Sequence, residues 1–169
     1  MLKIVYLFII FSIICFSKDV ESLNPISKVK INNLNFKTAL AGKRIKEVWT
    51  DYRIELLNIN NNKNSRFKIV ISSAHSKSKD NQIVMLYYPK NNEIKFIKSE
   101  EKVILKSKNN KEIPINLKVK ENPVVITEGG KTILAGRVYG SMEDSFTKTF
   151  PASNLKGRIM LRVSEENKI

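Results

Sequence analysis

Ile113-Pro114-Ile115-Asn116-Leu117-Lys118-Val119-Lys120 places an apolar residue at every second position and fills the gaps with polar ones or proline. In an extended backbone this period turns one face toward a core and the other toward water, so the stretch reads as a half-buried strand. The pattern recurs. Tyr52, Ile54 and Leu56 alternate with Arg53 and Glu55; Phe67, Ile69 and Ile71 with Lys68 and Val70; Ile159, Leu161 and Val163 with Met160 and Arg162. Helical spacing is sustained nowhere beyond the N-terminal segment. Pro114 lacks an N–H, so it must sit where no ladder bond is required, at an edge or a bulge.

Polar punctuation divides these runs. Asn60 to Ser65 reads as a turn, Ser72 to Gln82 as a longer loop, and Asn91-Asn92 as the tip of a hairpin between Ile83–Tyr88 and Ile94–Ile97. Further breaks fall at Ser107 to Lys111, Glu121 to Pro123 and Gly129-Gly130, where glycine permits positive φ. Ser141 to Ser145 reads as a short helical turn. Strands recurring at this spacing predict an all-β sandwich or barrel of antiparallel pieces.

Met1 to Ser17, MLKIVYLFIIFSIICFS, has a cationic start at Lys3 and an apolar run from Ile4 to Ile14. It reads as a secretory signal peptide cut after Ser17, because a membrane-crossing helix needs about 20 apolar residues. A lipid anchor on Cys15 is disfavoured by the bulky Ile14 before it. Removing 1–17 leaves one ordinary domain and takes away the only cysteine. The exported chain must then be held by packing and backbone hydrogen bonds without disulfides.

The net charge of +14 favours contact with anionic surfaces through long-range attraction. The lysines scatter instead of clustering, and no arginine–aromatic interleaving suggests a base-stacking platform, so no nucleic acid partner is expected. Catalytic and metal-ligating groups are scarce. His75 is the sole histidine and has no ligand-spaced neighbours. The pairs Glu100-Glu101 and Glu165-Glu166 read as solvated charge. Gly129-Gly130-Lys131-Thr132 lacks the first glycine and following helix of a phosphate-binding loop. Trp49 and Tyr52 read as core or rim aromatics, with sugar stacking the lesser alternative. No enzymatic activity, cofactor or metal is expected; a hydrolase would need polar groups converging around Glu55, His75 or Glu112.

Three stretches carry a family resemblance. Trp49-Thr50-Asp51-Tyr52-Arg53-Ile54-Glu55-Leu56-Leu57, followed after an Asn-rich turn by Phe67-Lys68-Ile69-Val70-Ile71, resembles the early strand pair of colonisation-factor-type fimbrial subunits. Ile113-Pro114-Ile115-Asn116-Leu117 resembles a later strand of that family. Phe150 to Val163, with Gly157 before an alternating run, is similar to the final strand of chaperone-usher pilins, including spore-coat-U-like secreted proteins.

The resemblance implies an immunoglobulin-like antiparallel β-sandwich that is one strand short. A periplasmic chaperone would supply a temporary strand, an outer-membrane usher would export the subunit to the cell surface, and identical or related subunits would then complete one another by strand exchange. On this view 18–33 is an N-terminal extension and 34–169 the pilin domain. Ile26, Val29 and Ile31 are the donor-strand candidates, and Ile159, Leu161 and Val163 border the acceptor groove. The donor phase runs into Asn33 and Asn35 while Leu34 and Phe36 fall in the opposite phase. Either a bulge shifts the register at Asn32-Asn33, or Leu34 and Phe36 belong to the subunit's own first strand. The expected role is a structural or adhesive fimbrial subunit, with a host or surface glycan as receptor. The alternative is a self-contained secreted binding module for anionic glycans or membrane surfaces.

Overall fold

The alternating runs all become strands in the computed structural model of the chain, which describes residues 27–36, 47–57, 59, 65–75, 81–106, 112–142 and 155–167. Twelve strands lie among the described residues: β1 (Ser27–Ile31), β2 (Leu34–Phe36), β3 (Val48–Leu57), β4 (Ser65–Ser73), β5 (Ile83–Tyr88), β6 (Glu93–Lys98), β7 (Glu100–Lys106), β8 (Glu112–Lys118), β9 (Val124–Glu128), β10 (Lys131–Ser141), β11 (Leu155–Gly157) and β12 (Ile159–Asn167). Every pairing is antiparallel. The described residues are therefore all-β.

One sheet runs β1-β3-β10-β8-β7, with β9 also paired to β10; the other runs β12-β4-β5-β6; a short ladder joins β2 to β11. The two large sheets face each other as a sandwich. Tyr52, Ile54 and Leu56 of β3, Leu134 and Val138 of β10 and Ile113, Ile115 and Leu117 of β8 meet Phe67, Ile69 and Ile71 of β4 and Ile83, Met85 and Tyr87 of β5, all buried. Each such side chain contributes on the order of 1.5–3 kcal/mol through removal from water.

The β3–β10 ladder, from Val48↔Gly140 to Leu57↔Lys131, is the spine of the larger sheet, and two glycines in β10 fit it to its neighbours. A Cβ on Gly136 would stand 2.6 Å from the Tyr52 hydroxyl oxygen, and one on Gly140 would stand 2.7 Å from Cδ1 of Leu34. Side chains from opposite strands occupy the space that Cβ atoms would need.

Several expected boundaries move. Ser72 and Ser73 belong to β4 and are buried instead of opening a loop. The reason is that β12 pairs with β4 as far as Ile159↔Ser73, and the Ser73 hydroxyl donates to the Ile104 carbonyl at 2.6 Å. Ile104 stands opposite Pro114, which has no N–H to offer. Pro114 itself lies before β8 reaches its second partner at Asn116, so the edge placement expected of it holds. Ser65 opens β4 instead of closing a turn, and Ser141 ends β10 instead of starting a helical turn; 60–64, 76–80, 107–111 and 143–150 lie outside the described residues. The hairpin tip at Asn91-Asn92 is present. Asn92 adopts φ 52, and its N–H donates to the Pro89 carbonyl at 3.3 Å.

Candidate functional site

β12 presents Ile159, Leu161 and Val163 to the core and Arg162 to solvent, following its alternation, and Arg158 just before it is also exposed. β4 occupies one edge along the whole strand, from Ile159↔Ser73 to Asn167↔Ser65. Among the described residues no strand pairs with the other edge. The register on the paired side is pinned by charge. Arg66 and Glu166 stand directly opposite, and the arginine Nε donates to Oε2 at 2.9 Å, with Lys68 Nζ 3.7 Å from Oε1. A hydrogen bond with Tyr88 and then one with Glu166 raise the Arg66 pKa further above its usual value, so the guanidinium keeps its charge.

β1 lies against β12 along the same flank of the sandwich. It pairs with β3, placing Val29 opposite Ile54 and Ile31 opposite Tyr52. Its hold is slight. Ser27, Lys28, Val29 and Lys30 are exposed, Val29 to 38%, and only Ile31 is partly buried. The donor candidates Val29 and Ile31 thus sit in a strand paired within the same chain; Ile26 lies outside the described residues, as does the segment 1–17. Of the two readings of the phase change the structure fits the second, because β1 pairs with β3 in unshifted register and ends at Ile31, and β2 is a separate strand. The chain breaks at Asn32-Asn33, where the Asn32 carbonyl accepts from the Thr50 hydroxyl at 3.2 Å, and Leu34 and Phe36 then enter the core, fully buried.

The outer face of the larger sheet carries a second feature that sequence reading missed. β10 pairs with β9 along Lys131–Ala135 and with β8 only from Tyr139, so Gly136 to Val138 face a gap between the two. A groove of 390 Å³ opens there, lined by Asp51, Asn122, Glu121, Val124, Gly136 and Arg137 among others. Beside it Trp49 stands opposite Tyr139 and is 57% exposed. Arg137 donates to Asp51 at 3.0 Å and lies 5.9 Å from the Trp49 ring centroid. Lys120 pairs with Glu47 and sits 4.5 Å from the Tyr139 ring. The Asp51 and then the Tyr139 hydrogen bonds raise the Arg137 pKa, and Glu47 raises that of Lys120. No sequence signal marks this groove, because it arises where one strand changes partners.

The remaining singled-out residues are dispersed. His75 is exposed in the turn after β4, its N–H donating to the Ser73 hydroxyl at 3.1 Å. Glu101 pairs with Lys98, Glu100 with Lys118 and Glu55 with Arg53. Glu112 is exposed on β8, and Glu165 is exposed on β12. Gly129 and Gly130 form the β9–β10 turn with φ of 55 and 75. Trp49 and Tyr52 diverge, the first exposed and the second buried in the core. Among the described residues no group of three or more His, Cys, Asp or Glu could hold a metal ion. Compared with family models, with curated proteins and with solved structures, the chain has no match.

Proposed function

We propose that the chain is a structural or adhesive subunit of a surface fimbria, completed by strand exchange after export through a periplasmic chaperone and an outer-membrane usher. The observation that carries this reading is the edge of β12 with which no strand among the described residues pairs. The orders β1-β3-β10-β8 and β12-β4-β5-β6 run parallel to the A-B-E-D and F-C-C′-C″ orders of an immunoglobulin variable-type sandwich. The G strand of that sandwich would lie on the outer side of β12. A strand supplied there by a neighbouring copy would meet the unpaired backbone groups and cover Leu161 and Val163, which are only partly buried. The N-terminal segment carrying Ile26, Val29 and Ile31 is the donor, and its slight hold on β3 makes it easy to release. The role invokes no catalytic chemistry and no cofactor.

The β1–β3 ladder favours the second reading, a self-contained secreted module whose cationic surface holds an anionic glycan or membrane. A single disulfide separates the two. Lys30 and Arg53 are paired neighbours with exposed side chains, and the chain beginning at Lys18 contains no other cysteine. K30C/R53C should form long oligomers when reduced and remain monomeric when oxidised, with β1 locked in place. Equal assembly of the oxidised form would eliminate β1 as the donor. A reduced chain that stays monomeric and binds anionic vesicles would overturn the polymer reading.

A further inference from the structure

We propose that β9 is a contact through which two copies of this chain pair, edge to edge and antiparallel, about a two-fold axis at Val125. Five large apolar side chains are exposed among the described residues, and two of them, Val124 at 62% and Ile126 at 46%, share this five-residue strand. They stand opposite Ala135 and Ile133 of β10, both half-buried, so the border of the larger sheet carries a small apolar patch. Among the described residues β9 pairs with β10 alone. Alternation from the two-residue turn at Gly129-Gly130 commits Glu128, Ile126 and Val124 to bonds with β10 and directs the N–H and C=O groups of Val125 and Thr127 to the open side.

Charge and register identify the occupant. β1, β6, β7 and β12, which also border the two large sheets, each carry lysine or arginine, while β9 carries none. In a chain of net charge +14 this is the border at which like copies repel least. Glu121 and Glu128 flank the apolar residues and disfavour anionic lipid or a polyanion there. Setting Val125 against Val125 of the second copy places Val124 opposite Ile126 and Ile126 opposite Val124, and brings Glu128 to the Asn122 amide instead of to another acid. Pro123 then faces Thr127. Proline donates no N–H, but its carbonyl accepts one, so the ends of the ladder still bond. The contact is short and belongs with small, transient interfaces, so the chain is monomeric when dilute and pairs only when concentrated. It is separate from the pairing proposed for β12 and does not depend on strand exchange.

Two measurements on the whole exported chain test it. In sedimentation velocity, oxidised K30C/R53C excludes exchange of β1 and should shift from monomer to dimer, and no further, as its concentration rises from roughly 10 μM to 1 mM. Adding V124K/I126K should weaken that association at least tenfold. Both side chains are exposed, so the variant should melt like the locked chain. The register is read by single cysteines in the parent, whose exported chain has no other. A mixture of V124C and I126C chains should form several-fold more disulfide-linked dimer than either chain alone, because these positions face each other as a close, non-hydrogen-bonded pair. The proposal fails if the locked chain stays monomeric at every concentration, if V124K/I126K associates undiminished, or if the mixture crosslinks no better than the single variants.

Discussion

Replacing Gly136 by alanine tests the packing that supports the centre of the larger sheet. The added Cβ would lie 2.6 Å from the Tyr52 oxygen, 2.8 Å from Cζ and 3.1 Å from Cε1, against an ordinary contact of about 3.5–4.0 Å. The ring has little room to retreat. Tyr52 is 2% exposed, and its hydroxyl already reaches Met85 Sδ at 3.9 Å across the sandwich. Overpacking of this kind costs about 1–3 kcal/mol, and losing a strand glycine offsets roughly 0.5–1 kcal/mol of that. The net loss is about 1–2 kcal/mol. For a domain of this size each kcal/mol moves the melting point by about 2–4 °C, so G136A should melt roughly 5 °C below the parent by circular dichroism. Y52F removes the nearest clashing atom and leaves Cζ in place, so Y52F/G136A should recover about half of the loss. A G136A chain with the parent's melting point, or a double variant as unstable as the sum of the singles, would refute the clash.

Two other outcomes follow from the same geometry. Burial pushes the Tyr52 phenol well above its ordinary value of 10. The unfolded chain therefore releases this proton first, and stability contributed by the neutral phenol is present below pH 10 and declines above it. The parent should lose up to about 1.4 kcal/mol per pH unit more than Y52F in that range, measured by urea unfolding at pH 9, 10 and 11; identical alkaline limbs would count against burial of the hydroxyl. At the β9–β10 turn, where Gly130 has φ 75, G130V should cost about 1–2 kcal/mol because a branched side chain resists the left-handed region. G129N at φ 55 should stay within about 0.5 kcal/mol in the same unfolding assay, since asparagine tolerates that conformation.

The inward faces of β3, β8, most of β4 and the first half of β12 were readable because each alternates there, and burial follows the period except at the end of β4, where Ser72 is also buried, and at Glu165 of β12, which is exposed. β10 was not readable in this way. Its inward positions are Thr132, Leu134, Gly136, Val138 and Gly140, and the two glycines that Tyr52 and Leu34 require break the apolar count. β7 offers only Val103 and Leu105 to the core, too few for a period to show. The phase change at Asn32-Asn33 was visible, but the partner on each side of it was not. β1 joins β3 and β2 joins β11, and pairing between strands that are not neighbours in sequence leaves no local trace. The groove beside Asp51 and Arg137 is hidden because it arises where β10 changes partners from β9 to β8.

The edges of the two sheets are guarded unequally, and the difference bears on which of them is meant to be met. β6, at the far edge of the smaller sheet, joins β5 through a register shift at Val84/Met85 and carries Lys95 and Lys98, devices that discourage a foreign strand. β1 is five residues long and bears two exposed lysines. β12 carries Arg162 outward and Glu165 in its inward phase, but its first half is less defended. It pairs with β4 in unbroken register over nine residues, contains no proline and points no charge inward from Ile159 to Val163. An antiparallel edge of that length offers N–H and C=O groups from about every second residue, each ladder bond worth a net 0.5–1.5 kcal/mol or so. β1 makes a five-residue ladder with β3 but brings only the partly buried Ile31 to the core. On the proposed reading, exchange would give up that short ladder for pairing along the longer β12 edge. A single inward charge, L161K, should block assembly while leaving the melting point within a few degrees of the parent, because Leu161 is only partly buried; assembly that survives it would mean that β12 is not the edge being met.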